Sequence, residues 1–503
     1  MKRLPIGISS FEEIRTGGYY YVDKTRFVEK LVEEGKYYFL SRPRRFGKSL
    51  FVDTIKCAFE GRKELFEGLY LHNKWEWERK YPVIRIGFEK DTKGKEKVRR
   101  YIRRNIIKNA DKYGIRIKEE EEGLMMVDLV EMLWDKYREK VVVLIDEYDK
   151  PILDNIEDKE EAERVREVLK ELYSVLKGID RYLKFVFITG ISKFAKVSLF
   201  SGLNQLNDIS ISREYGDICG YTEEEVMETF GQLIRDEQEM EKIREWYNGY
   251  WWLGSKVYNP FDVLLYLENR VYRSYWFKTG NPEFLVKVMR EKGYYMPNME
   301  GVVVDDNSLD VFDIEEIRVE ALLYQTGYLT IKEVMEEEDI VEYRLGYPNK
   351  EVRIALSSFI ANSISERMSE WSRRIRRIFK EGEIEELRGL LVEIMGSVPY
   401  NWYREAGKYE GFYSAMFYML LISSKLNVIA EDVTSVGRID MTVIEKDKVY
   451  VIEFKVDKEE ALEQIKKKRY YEKYERYGEI YLIGIVVDSK ERKVKKIEVE
   501  KYK

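Results

Sequence analysis

Apolar runs alternate with amphipathic stretches along residues 36–190, the pattern of strands exchanged with helices. Tyr37-Tyr38-Phe39-Leu40 predicts a short buried strand, with a loop from Ser41 to Gly47 and a helical pattern from Ser49. Val83-Ile84-Arg85-Ile86 follows Pro82 and reads as a second strand. Val141-Val142-Val143-Leu144-Ile145 is the clearest strand in the chain, an unbroken apolar run suited to a parallel sheet covered on both faces. Phe185-Val186-Phe187-Ile188 is a fourth. Helical patterns over residues 95–109, 123–137 and 159–176 lie between them. The alternation predicts right-handed crossovers and a doubly wound parallel sheet, an α/β fold.

Residues 222–399 read as mainly helical, with aromatic islands at Trp246–Trp252 and Tyr275-Trp276-Phe277. A helix over 314–324 precedes a hairpin-like pair at 328–331 and 341–345, compatible with a winged-helix element. From Tyr409 a second α/β unit is expected: one helix, two strands, a basic helix, then a strand over 480–487. The chain contains no repeat and no low-complexity linker. Its 503 residues exceed what one hydrophobic core holds. The predicted domains are 1–221, 222–399 and 400–503.

Composition narrows the chemistry. Hydrophobic residues make 44% and charged residues 36%, which excludes disorder as the main state. No run approaches the length of a membrane span, and no apolar leader opens the chain, so a cytoplasmic protein is expected. Cys57 and Cys219 are too few for a disulfide framework or a thiolate zinc site. The single histidine, His72, excludes histidine-based hydrolysis and multi-histidine metal sites. Chemistry must run on carboxylates, lysines, hydroxyls and a hard metal such as Mg²⁺. Five glutamines against 93 acidic and 87 basic residues resemble the usage of a thermophile. A net charge of −6 does not advertise nucleic-acid binding, so local patches must carry that argument.

Arg42-Pro43-Arg44-Arg45-Phe46-Gly47-Lys48-Ser49 lies between a predicted strand and a predicted helix, where a P-loop belongs. Backbone N–H groups at the helix start would cradle phosphates, Lys48 would neutralise the β and γ oxygens, and Ser49 would ligate Mg²⁺. Arg42 replaces the first glycine of the usual pattern, and Arg44 and Arg45 sit beside the expected phosphates. These two could act as an arginine finger in cis or pair with acidic neighbours. A Gly-Lys-Ser alone reads equally well as an ordinary helix start. Asp146-Glu147, ending the best buried strand, changes the balance: Asp146 is placed to hold Mg²⁺ and Glu147 to polarise the attacking water. An ion-paired turn with Lys150 is the structural alternative. Thr189, after the fourth strand, stands where a γ-phosphate sensor would sit, or else in a capped turn.

Near the C-terminus, residues 437–444 and 449–456 predict two strands joined by residues 445–448. Folding that hairpin about Lys446–Asp447 sets Asp440 opposite Glu453. Two facing carboxylates repel unless a cation lies between them. Lys455 projects on the face of Glu453. The set suits phosphodiester hydrolysis assisted by Mg²⁺ or Mn²⁺. Glu410, opening the preceding helix, could add a third metal-binding carboxylate. Gln464 and Tyr470 lie near the site, and Lys466-Lys467-Lys468-Arg469 offers charge for phosphates. The alternative is a surface strand with a Glu–Lys or Asp–Lys cross-pair, worth under about 1 kcal/mol.

These features resemble a known family. Leu4-Pro5-Ile6-Gly7, Tyr21-Val22-Asp23-Lys24-Thr25, residues 42–49, 145–151 and 189–202, Trp246-Tyr247-Asn248-Gly249-Tyr250, Tyr258-Asn259-Pro260-Phe261 and Asp440…Glu453-Phe454-Lys455 are similar to AAA-ATPase-like proteins with a C-terminal PD-(D/E)XK nuclease-superfamily domain. The likeness spans nearly the whole length, and Arg42 is typical of that family. It implies an N-terminal P-loop ATPase, a helical lid and middle region, and a restriction-endonuclease-like C-terminal domain. Lys48, Ser49, Asp146 and Glu147 are carried over as ATPase residues. Asp440, Glu453 and Lys455 are carried over as the nuclease core, with Glu410 and Gln464 beside them. Lys193 departs from the pattern, where arginine is expected. The expectation is an ATP- and Mg²⁺-dependent ATPase fused to a nuclease, with nucleotide state gating cleavage. Its partner would be nucleic acid, DNA ahead of RNA, with no membrane and a homo-oligomer left open. A binding module switched by nucleotide, holding nucleic acid or a protein without cutting, is the alternative.

Overall fold

The four apolar runs of the N-terminal region form strands β1 (Tyr37–Ser41), β2 (Val83–Gly87), β3 (Val141–Asp146) and β4 (Leu183–Gly190) in a computed structural model. The structure describes residues 2–88, 92–193, 199–200, 203, 205–279, 288, 299–310, 318–337, 340–364, 367–397, 410–458, 460–491 and 493–503. It divides into two compact units, one of residues 1–284 with 302–350, the other of 285–301 with 351–503.

In the first unit a two-residue strand, β5 (Asn207–Asp208), completes a five-stranded sheet of order β2-β3-β4-β1-β5. Every pairing in it is parallel. β1 and β3 are buried along their whole length, which explains their unbroken apolar sequence. Because β4 lies between β1 and β3, Thr189 stands beside Leu40, and Ile188 beside Ile145. The loops following β1, β3 and β4 therefore emerge at one edge, where ligands bind in open α/β sheets. The helix Lys48–Phe59 starts from Gly47, held at φ 97°, a left-handed conformation that only glycine adopts freely. β5 was invisible in the sequence because Asn-Asp carries no apolar signal.

Helices Glu223–Phe230, Glu237–Tyr247 and Pro260–Asn269 follow the sheet, the first closed by a capping box between Thr222 and Glu225. Tyr247, Tyr250, Trp252 and Tyr258 are buried, so the aromatic island serves packing. The expected helix and hairpin are present as Val319–Thr326, β7 (Thr330–Glu337) and β8 (Ile340–Gly346), joined at the far side of β8 by β6 (Val303–Asp305). The predicted 222–399 segment is shared between the units, since this helix packs into the first. Gln325 accepts from the Lys193 amide at 2.9 Å, and Gly327 lies against Pro43 so closely that a Cβ there would come within 2.7 Å.

The second unit is built on β9 (Asn427–Thr434), β10 (Gly437–Glu445), β11 (Lys448–Val456), β12 (Glu479–Asp488) and β13 (Lys493–Lys501), in order β13-β12-β11-β10-β9. Only β11 and β12 run parallel, and the helix Ala461–Lys468 lies in the crossover between them. The helix Glu410–Ser423 packs on the sheet, with Phe417 against Phe454. β10 and β11 pair as Met441↔Ile452 through Glu445↔Lys448, the register expected from folding about Lys446–Asp447.

Candidate active sites

The loop after β1 opens on a cavity of about 640 Å³ lined by Arg44, Arg45, Phe46, Gly47, Lys48 and Ser49, with Glu147 across from them. Lys48 is buried, and its ammonium donates to the carbonyls of Arg42 (2.8 Å) and Pro43 (2.9 Å). Burial lowers its pKa, and the charge of Asp146 works the other way. Pro5, Ile8, Tyr21, Phe261 and Leu264 supply apolar wall to the same cavity. The N-terminal segment that resembled the family thus belongs to the cleft.

Asp146 and Glu147 differ although adjacent. Asp146 is buried and accepts from the Thr189 hydroxyl at 2.7 Å, with Arg85 at 3.6 Å from its other oxygen. Glu147 turns at φ 56°, an uncommon conformation that ends the strand sharply and sends its half-buried side chain to the cavity. Burial, then the charge of Asp146, raises its pKa; Lys48 and Arg44 oppose the shift. Lys150 pairs with Asp154 at 2.6 Å. Lys193 is buried and pairs with Asp208 on β5 at 3.0 Å, outside the cavity lining.

Two residues here escaped sequence reasoning. Asp149 is fully buried and accepts from the Ile191 amide, the Ser192 amide and the Ser192 hydroxyl, tying the turn after β3 to the turn after β4. Its place two residues beyond Glu147 was the only available signal. Arg42 is also buried: its guanidinium donates to the carbonyls of Ser41, Ser210, Tyr215 and Gly216, and lies 4.2 Å from the Trp252 ring centroid. No carboxylate pairs with it among the described residues, and burial pushes its pKa down to about 10. It braces the loop from beneath instead of facing the cavity. Arg44 and Arg45 are exposed in the cavity, and neither forms an ion pair among the described residues.

In the second unit the ladder between β10 and β11 stops one pair short of Asp440 and Glu453. Asp440 replaces the next rung with its side chain, accepting from the Phe454 amide at 2.7 Å. Glu453 is 1% exposed. Its Oε1 accepts from Lys455 at 3.1 Å and from the Gln464 amide, while Oε2 is buried with no hydrogen-bond partner among the described residues. Burial, then the charge of Asp440, pushes its pKa up to about 7. Tyr470 is buried nearby, with its hydroxyl against Gly437. Lys467 and Lys468 are exposed and form no ion pair among the described residues, whereas Lys466 pairs with Glu500 and Arg469 with Glu472.

A buried carboxylate oxygen without a donor, beside a second carboxylate, fits a hard divalent cation, which would satisfy both. The candidate ligands are Asp440 and Glu453. Among the described residues no group of three or more His, Cys, Asp or Glu gathers in this way. Glu410 opens its helix as expected, and its side chain lies outside the described residues.

Comparison with known proteins finds a family match over each of the two regions. A family model for a predicted AAA-ATPase matches residues 5–200, and one for the PD-(D/E)XK nuclease superfamily matches 408–497. A relative from Azotobacter chroococcum mcd 1, described as an uncharacterized protein in the vnfD 5' region, is 42% identical over 515 residues, spanning 98% of each chain. No solved structure matches. No helix among the described residues is long and apolar enough to cross a membrane.

Proposed function

Because the chain belongs to the family of predicted AAA-ATPases with a C-terminal PD-(D/E)XK nuclease-superfamily domain, we propose that it is a Mg²⁺-dependent ATPase whose second unit is a divalent-metal-dependent nuclease acting on DNA. The observation that carries the ATPase half is the meeting of Lys48, Ser49 and Glu147 in one cavity, next to the Asp146–Thr189 pair. Lys48 would leave its carbonyl partners for the β and γ oxygens, Ser49 and Asp146 would hold the magnesium of the nucleotide, and Glu147 would orient the attacking water. Thr189 keeps Asp146 in place. The apolar wall from Pro5 to Leu264 receives the base.

The nuclease half rests on the unpartnered Glu453 oxygen beside Asp440. A divalent ion bound there would supply an activated water and charge stabilisation for the phosphoryl group under attack. Lys455 orients the nucleophile, Gln464 fixes the Glu453 carboxylate, and Lys467 with Lys468 holds the backbone phosphates. One observation favours the binding-only reading: Lys455 already closes on Glu453.

Full-length protein carrying Lys48→Ala should lose ATP hydrolysis at least about 100-fold and keep cleavage chemistry. Asp440→Asn should do the reverse on single-stranded, duplex and branched DNA with Mg²⁺ or Mn²⁺. Equal hydrolysis by wild type and Lys48→Ala overturns the ATPase. Wild-type protein that binds these substrates without cutting any of them leaves the binding module.

A further inference from the structure

We infer that Arg44 is the cation that stabilises the transferring γ-phosphoryl group, supplied in cis by the phosphate loop, so that hydrolysis needs no residue from a second copy of the chain. This rests on the ATPase reading above.

The loop holds Arg44 on a fixed base. Its carbonyl accepts from the Trp276 indole at 3.0 Å, and the preceding Pro43 packs against Gly327. Two residues on, the Phe46 carbonyl accepts from Gly220 at 3.0 Å, and Arg42 anchors the start of the loop through four carbonyls. All these bonds use main-chain atoms or neighbouring side chains. The Arg44 guanidinium itself is exposed in the cavity and forms no ion pair among the described residues. A rigid backbone carrying an uncommitted charge is the preorganised arrangement that stabilises a transition state, because no reorganisation is needed when charge develops.

Engagement separates Arg44 from its neighbour. Arg45 has a left-handed backbone, φ 68°, and its guanidinium lies 5.1 Å from the Phe261 ring centroid, in the first turn of helix Pro260–Asn269. Its charge is already turned to an aromatic ring. Arg44 lines the same cavity as Lys48 and Glu147, and neither a ring nor a carboxylate engages its guanidinium among the described residues. A γ-phosphate between Lys48 and Glu147 would share that cavity with Arg44. Arginine suits the role, since its planar fork takes two phosphate oxygens and never loses its charge.

The step balances without further reactants. Water attacks the γ-phosphorus as Glu147 accepts one of its protons, the bond to the β–γ bridging oxygen breaks, and that oxygen leaves with the electron pair on ADP. Inorganic phosphate is the other product, and Glu147 returns its proton to solvent. Arg44 donates to the γ oxygens as the bond to ADP lengthens.

The test is steady-state kinetics of the full-length chain. Arg44→Ala should lower kcat on the order of 10³-fold with KM for ATP changed less than about fivefold, and Arg44→Lys should recover only a small part. Equimolar mixing of Arg44→Ala with Lys48→Ala should restore nothing, and wild-type turnover per chain should not change on dilution. An unaltered kcat in Arg44→Ala, a loss confined to KM, or activity regained on mixing overturns the inference while an active wild type preserves the ATPase. A wild type inactive at any concentration removes both.

Discussion

Each unit carries a pair of acids, and the pairs are built in opposite ways. Asp146 and Glu147 are adjacent in sequence and separated by the end of a strand. Asp440 and Glu453 are distant in sequence and brought together by hairpin register. Around the first pair the chain supplies cations of its own: Lys48, Arg44, Arg45 and, behind Asp146, Arg85. Asp146 accepts from Thr189 on one oxygen and has Arg85 at 3.6 Å from the other. Around the second pair Lys455 and Gln464 share one oxygen of Glu453, and the other has no hydrogen-bond partner among the described residues. The first site is short of an anion and the second is short of a cation. That contrast is what the proposed nucleotide site and the proposed metal site each require.

The sharpest way to break the comparison is to neutralise one acid from each pair. Asp146→Asn and Glu453→Gln should each cost their own activity on the order of 10³-fold, about 4 kcal/mol of barrier. Stability should separate them. Asp146→Asn removes a charge that Arg85 and Thr189 already satisfy, so chemical denaturation should show a weaker fold. Glu453→Gln removes a buried charge whose Oε2 has no hydrogen-bond partner among the described residues, so the metal-free protein should be as stable as wild type or more so. Destabilisation of equal size in both variants would erase the distinction.

A smaller effect concerns the residue that departs from the usual phosphate loop. Arg42→Gly restores the familiar pattern and strips four buried carbonyls of their donor. It should lower stability by about 3 kcal/mol and give no gain in ATP turnover. A variant as stable as wild type would show that the brace is dispensable.

How much of this was legible in the sequence follows from where the signal lay. Unbroken apolar runs announced β1, β3 and β4, because strands covered on both faces tolerate little else. The hairpin register followed from a two-residue turn and side-chain alternation, and it holds as far as Met441↔Ile452, the pair next to Asp440 and Glu453. β9 and β13 were missed. β13 reads Lys-Val-Lys-Lys-Ile-Glu-Val-Glu-Lys, an edge strand too polar to stand out from its charged surroundings. Roles that depend on non-local partners were out of reach. Nothing near Arg42 in sequence points to the carbonyls of residues 210–216, and Asp149 gains its meaning only from the turn after β4. Lys193 looked like an imperfect sensor until Asp208, on a strand with no apolar signature, proved to be its partner.

The least of the expected effects tests the electrostatics of the second pair directly. Glu453 titrates near 7 in the fold against an ordinary 4.5, chiefly because it is buried and secondly because Asp440 is close. Below about 4.5 the carboxyl is protonated in both folded and unfolded chains, and the fold has its full stability from this group. Between 4.5 and 7 only the folded chain holds the proton, so that contribution is lost as pH rises through the folded value. Glu453→Gln stays neutral throughout. With divalent ions chelated, the melting temperatures of wild type and Glu453→Gln should nearly coincide at pH 5, and the variant should lead by roughly 5 °C at pH 8. Carboxylates remote from Glu453 are shared by both proteins and drop out of the difference. Mn²⁺ at pH 8 should raise wild type and leave the variant almost unmoved, closing the gap by binding a carboxylate that Lys455 and Gln464 meet on one oxygen. A gap of the same size at both pH values would mean that Glu453 is stabilised by something already in the chain, and the second site would then be no more in want of a cation than the first.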